Sequence, residues 1–284
     1  MQDDMQDKSS AASNPRVLRL GYMDRAHLLP LLYPAKMGWV GPQSPWELEV
    51  VNAAPSELLD GLLNDRLDAA LLSPAAVTQH GARLMVVGGW GLASEQVSHA
   101  GILLAPQRLD LMDGEELAIS PQAVDSMADY LLRMLLKPYY DINLSLRTPD
   151  HPEYNLNGAK LLYGDEAAKE AAKKPESWVA EDMGLAWWVL TGLPIVWEML
   201  AAPRDLQTRK PGAADALNDL MSRSLRAAQE QQSSVIDEAS QLLGMKKDKV
   251  KELFNRQQYA LREREQKGLA RFLDMASRAG ILTA

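Results

Sequence analysis

The sequence predicts an α/β protein of two lobes with a helical C-terminal segment. Three observations predict it. Short apolar runs of strand character are interleaved with stretches of helical period as far as about residue 200. From Gly212 onward the pattern is helical throughout. The 284 residues also suffice for two lobes of ordinary size, each with its own core.

Taken in order, residues 1–16 are polar, carry Asp3, Asp4 and Asp7, and read as a disordered tail. Residues 17–22 (VLRLGY) alternate as a strand, and 28–33 start a helix near Pro30. Residues 46–51 (WELEVV) are a second strand. Pro55, Ser56 and Glu57 open a helix whose Leu58, Leu59, Leu62, Leu63 and Leu67 share one face, and 68–73 (DAALLS) follow as a short buried strand. Further strands are expected at 102–105, 116–120 and 159–163, and helices at 125–136, 166–174 and 182–191, the last ended by Gly192. Residues 195–199 return the chain to the first lobe. Helices are then expected at 213–232, 234–243, 246–265 and 269–279, with Gly244, Gly268 and Gly280 at their ends. The division that follows is 17–104 for the first part of lobe 1, 105–194 for lobe 2, and 195–284 for the return with the C-terminal helices. Alternation of strand and helix favours parallel-rich sheets.

Composition excludes several functions. A net charge of -8 without a basic stripe argues against nucleic acid as a partner. With no cysteine, disulfides, thiolate catalysis and cysteine-based zinc sites are excluded, and a reducing compartment fits. The polar start lacks the basic residues and apolar run of a secretory leader. No stretch reaches the roughly 18 apolar residues of a membrane span. The expectation is a cytoplasmic protein with no membrane partner. Leu253, Phe254, Leu269 and Phe272 suit either core or a homodimer contact.

No strong local motif is present: neither a phosphate loop, nor GxGxxG after a strand, nor HExxH, nor a nucleophile elbow. Gly88-Gly89-Trp90-Gly91 lacks the Lys-Ser/Thr pair of a phosphate loop and reads as a flexible turn. His27 and His99 fall in strand-end loops, where α/β proteins bind ligands, and a neutral imidazole there can accept a proton. Each equally suits a solvated or hydrogen-bonded loop histidine. His80 and His151 sit in polar turns. Asp165 precedes a helix and fits either a cap or a cleft carboxylate; Ser56 and Ser73 fit either caps or anion-binding hydroxyls. Trp187-Trp188 reads as the core and rim of a helix.

Dispersed stretches together resemble the chorismate dehydratase family of the futalosine route to menaquinone. They are LGYMDRAHLLPL, PSELLDGLLNDRLDAALLSPA, LAISPQAVDSMADYLLRMLL, YGDEA, LAWWVLTGLPIVWEML and LFNRQQYALREREQKGLARFLDMASRAGIL, covering roughly Arg19 to Leu282. The resemblance implies a type II periplasmic-binding-protein-like fold used as an enzyme. It implies a hydro-lyase that takes water from chorismate, a small carboxylate substrate, to give 3-(1-carboxyvinyloxy)benzoate, with no metal or organic cofactor. His27 stands where the family has asparagine and His99 where it has serine, so these two are the candidate catalytic groups. Ser56, Ser73, Gly164 and Asp165 are retained, and Asp125-Ser126 replace a hydroxyl-rich turn; these six are the candidate substrate-binding residues. The same substitutions leave open a non-catalytic paralogue binding a small anion, and a metal site formed by His27, His99 and Asp125.

Overall fold

The computed structural model describes residues 16–136 and 140–282; all but Arg16 of the expected tail lies outside them. The chain begins with β1 (Arg16–Tyr22), α1 (Leu29–Lys36), β2 (Trp46–Asn52), α2 (Pro55–Leu63), β3 (Ala69–Leu72), α3 (Pro74–Gln79) and the long β4 (Leu84–Ser94). It then enters a second layer through β5 (Gly101–Ala105), β6 (Glu116–Ile119), α4 (Met127–Leu135), β7 (Ser145–Arg147), β8 (Lys160–Tyr163), α5 (Asp165–Lys173), β9 (Val179–Asp182) and α6 (Met183–Thr191). β10 (Ile195–Pro203) returns to the first sheet. It is followed by α7 (Leu206–Arg209), α8 (Ala213–Glu230), α9 (Gln232–Leu243), α10 (Lys247–Asn255), β11 (Gln257–Ala260) and α11 (Glu263–Arg278).

Two sheets result, one of six strands in the order β11-β4-β10-β3-β1-β2 and one of five in the order β7-β6-β8-β5-β9. Both are mixed rather than parallel-rich. β1 pairs parallel with β2 and β3, and β6 with β7 and β8. The strands next to the crossings between sheets, β5, β9 and β10, run antiparallel to their neighbours. In the register, Tyr22 stands opposite Asn52, so the loops after β1 and β2 leave the sheet side by side. That level exit sets up the site described below.

Local chemistry accounts for the helix ends. Ser126 caps α4 through Ala128 N–H, and Asp182 caps α6 through Leu185 N–H at 3.0 Å. Gly192 ends α6 in the left-handed conformation. Trp187 is wholly buried, donates to Pro194 O at 3.1 Å and meets Phe272 edge-on, while Trp188 lies at the rim beneath Arg264. Leu253 and Phe272 belong to the core; Phe254 and Leu269 are half-buried and packed against it.

Two regions differ from the sequence reading. Gly88-Gly89-Trp90-Gly91 is no turn: it lies within β4, between β10 and β11. Gly88 and Gly89 have positive φ, the pairing slips register here, and a Cβ on Gly91 would strike the Glu198 backbone. The glycines therefore mark irregular pairing and close backbone approach. The expected helix at 246–265 is interrupted by β11, because pairing with β4 overrides the helix-forming composition of KKDKVKELFNRQQY. Gly268, expected to end a helix, lies inside α11, where any side chain would collide with the Pro194 carbonyl. Among the described residues no helix is long and apolar enough to cross a membrane.

Candidate functional site

The carboxyl ends of β1, β2, β6 and β8 open on one cavity of about 530 Å³, within the usual range for small-molecule pockets. Its walls come from the loops after those strands: Met23 to Arg25, Asn52 to Pro55, Pro121 and Gln122, and Tyr163, Asp165 and Glu166. Parallel strands of both sheets thus point into the same crevice, the place where open α/β sheets bind ligands.

Asp165 is the best-defined carboxylate on this wall. It is the first residue of α5 but does not cap that helix. Instead both carboxylate oxygens accept from Ala26 N–H, at 2.9 and 3.2 Å, which ties the loop after β1 to the opposite sheet. Burial pushes its pKa up, but the His27 imidazole, the Ala26 N–H and the Arg25 charge outweigh that and hold it below the usual carboxylate range. His27 is 1% exposed and does not line the cavity. Its Nε2 lies 3.3 Å from Ser98 O, its Nδ1 lies 3.7 Å from Asp165 Oδ1, and its carbonyl accepts from Tyr259 Oη at 3.0 Å. Nε2 faces the Ser98 carbonyl and Nδ1 faces Asp165, so a proton on Nδ1 favours the ionised carboxylate. His27 therefore reaches the cavity through Asp165.

A buried cation completes the wall. Arg25 is 4% exposed, ion-paired to Glu198, and stacked 4.7 Å from the centre of the Tyr163 ring. Gly164 leaves the room it needs, since a Cβ there would come 2.7 Å from Arg25 Cδ. Sequence reading named Gly164 but missed Arg25, Glu198 and Tyr163 as parts of the site. Glu198 carried a signal: it is a carboxylate in the middle of β10, every residue of which is buried, and a buried charge needs a partner.

His99 lies elsewhere. It lines a separate cavity of about 280 Å³ together with Asp182 and the apolar Val97, Ile102 and Leu185. Asp182 accepts from the N–H groups of Ser98, His99 and Leu185 and from Ser98 Oγ, fastening the crossing between the sheets. Burial lowers the His99 pKa against the pull of Asp182, and burial raises that of Asp182 against those hydrogen bonds.

The other predicted residues take local places. Ser56 is exposed in the first turn of α2, beside the lining residues Ala54 and Pro55. Ser73 caps α3 through Ala76 N–H at 3.3 Å, and Ser126 caps α4. Asp125 is exposed at φ 56° and its N–H donates to Asp129. Neither Ser73, Ser126 nor Asp125 lines the cavity. His27, His99 and Asp125 do not form a metal site: among the described residues no three His, Asp or Glu side chains are placed to hold an ion. The backbone sends the three into different surroundings. A further cavity of about 300 Å³ lies between α8, α9, α10 and β11, away from the strand ends.

The sequence profile of a family described as menaquinone biosynthesis matches residues 18–278. No curated protein matches the chain. Among solved structures, a protein from Archaeoglobus fulgidus superposes with a TM-score of 0.73 at 17% identity, over 93% of this chain and 98% of that one. A Candida albicans gene product described as having the generic periplasmic-binding-protein fold gives 0.67 at 13% identity, over 95% and 92%. The periplasmic aliphatic sulphonate-binding protein of Escherichia coli gives 0.63 at 14%, over 93% and 86%. At these identities the likeness is one of fold: α/β, two sheets, periplasmic-binding-protein-like, with a helical C-terminal segment.

Proposed function

The chain belongs to the menaquinone-biosynthesis family, that of the chorismate dehydratases, and from that premise we propose that it removes water from chorismate to give 3-(1-carboxyvinyloxy)benzoate. The observation that carries the reading is Asp165, a carboxylate held ionised on the wall of a cavity at the strand ends. The hydrogen on C3 of chorismate is acidified through the ring double bond conjugated to the carboxylate. Asp165 takes that proton, the electron pair forms the C3–C4 double bond, and the C4 hydroxyl leaves as water with the proton that Asp165 returns to it. The ring becomes aromatic, so the site has only to position the substrate, exclude water and move one proton.

His27 acts from behind as a positioning residue, its Nδ1 facing Asp165 and helping to hold that carboxylate ionised. Asn52 accepts from Asp24 N–H through its Oδ1, which leaves its NH₂ to donate to the ligand. Ser56 adds a hydroxyl at the start of α2. The substrate is a small carboxylate, and a cytoplasmic location goes with the reading.

A second reading is a non-catalytic paralogue that binds a small anion in the same cleft. It is favoured by the placing of the two histidines: His27 does not line the cleft cavity and His99 lines a separate one. Incubation of the purified protein with chorismate tests both. The aromatic enol ether detected by chromatography is expected. Chorismate bound but not consumed would favour the second reading, and neither binding nor product would remove both.

A further inference from the structure

We propose that Arg25 is a specificity-determining residue of the cleft, docking one carboxylate of the substrate while Glu198 fixes the guanidinium. The proposal rests on the substrate reading above and assigns where one of the two negative charges sits. Among the described residues lining the cavity, Arg25 is the only cation; Asp24, Asp165 and Glu166 are acidic. Asp24 is taken by Lys36 at 3.0 Å, and Asp165 by Ala26. A carboxylate entering the cleft is repelled by most of its charged wall and attracted at one place.

The guanidinium there is set, not loose. Glu198 pairs with it from β10, Tyr163 stacks on it from the other sheet, and Gly164 gives it room. Its hydrogen bonding is incomplete. Arg25 Nε and Nη2 are buried without a hydrogen-bond acceptor, Nη2 beside Glu198 Oε1 as an ion pair, and Glu198 Oε2 is buried without a donor. A guanidinium offers five N–H donors in a planar fork, enough for two carboxylates at once. A buried pair that serves only stability has its remaining donors and lone pairs satisfied. This one is left open, in a residue that also lines a ligand cavity, which fits a group that takes a second anion. Because Arg25 follows β1 and pairs with Glu198 of β10, while Tyr163 ends β8 of the other sheet, an anion on Arg25 would sit between the two sheets.

The test is calorimetric titration with 3-(carboxymethoxy)benzoate and its two monocarboxamides, in parallel with chorismate turnover. Wild type is expected to bind the diacid about tenfold or more tighter than one of the monoamides, the one lacking the carboxylate that Arg25 holds. Arg25→Lys keeps the charge but not the fork. It is expected to lower diacid affinity by about tenfold and to leave that monoamide within about threefold. Glu198→Gln, nearly isosteric, frees the guanidinium from its counter-charge and should widen the preference for the diacid. Equal affinity of wild type for all three compounds, no detectable diacid binding, or an unchanged preference in both variants would overturn the proposal. Diacid preference without chorismate turnover would remove the dehydratase reading and leave Arg25 standing; turnover without the preference would do the reverse.

Discussion

Two histidine–aspartate neighbourhoods lie between the sheets, and they are built for different ends. At His27 and Asp165 the carboxylate lines the ligand cavity, accepts one backbone N–H, and is held below its usual pKa. At His99 and Asp182 the carboxylate accepts three backbone N–H groups and a serine hydroxyl, is 8% exposed, and has its pKa raised by burial. The residue types are the same. What differs is position: Asp165 follows the carboxyl end of β8, which runs parallel to β6, whereas Asp182 ends β9, paired antiparallel with β5, and caps the next helix. An aspartate with spare lone pairs at a strand end is free for chemistry, and one that spends them on the backbone is a fastener.

That contrast can be broken by exchange of single atoms. Asp165→Asn should give the largest effect, lowering kcat for chorismate by about 100-fold or more, the usual worth of a positioned base. A smaller loss, measured by initial rates, would move the proton acceptor away from Asp165. Asp182→Ala should instead cost stability, about 2 kcal/mol from a lost helix cap and orphaned N–H groups. In a chain of this size that is a fall of about 4–8 °C in Tm by calorimetry.

The acid branch of the stability curve sharpens the contrast, because the two carboxylates act in opposite directions. Asp165 is depressed in the fold, so its contribution is present above the unfolded pKa and lost as pH falls through the folded one. Asp182 is raised, so the fold holds its proton longer and stability falls as pH rises from the unfolded pKa to the folded one. Denaturation titrations should show Asp165→Asn flattening a rise below about pH 4 and Asp182→Asn flattening a fall above it. Changes of the same sign would contradict the assignment. The smallest effect is expected for His99→Asn. Asparagine tolerates the φ of 54° at this position, so turnover should stay within about threefold and stability within about 1 kcal/mol. A tenfold loss of turnover would return His99 to the chemistry.

Much of the fold was legible in the sequence because it is written locally. VLRLGY, WELEVV, ILLA and ELAIS all form strands, and Ser126 and Gly192 stand at helix ends. β4 and β11 were hidden for opposite reasons. Glycines mask a strand whose neighbours come close, and a helix-forming composition masks a strand set by its partner. The site was half visible. Loops after strands placed Asp165, and offered cap or cleft as its role. They did not show that His27 is buried behind it, because that burial depends on Ser98 and Tyr259, remote in sequence. The Arg25–Glu198 pair was invisible for the same reason: its two halves meet only when β1 and β10 share a sheet.

The most direct test of the cleft as the working site is amide hydrogen exchange with and without chorismate. Protection concentrated at residues 23–26, 52–57 and 163–167 is the predicted result. Protection at 97–99 and 180–185, or at 254–262, with the strand-end loops unchanged, would contradict it.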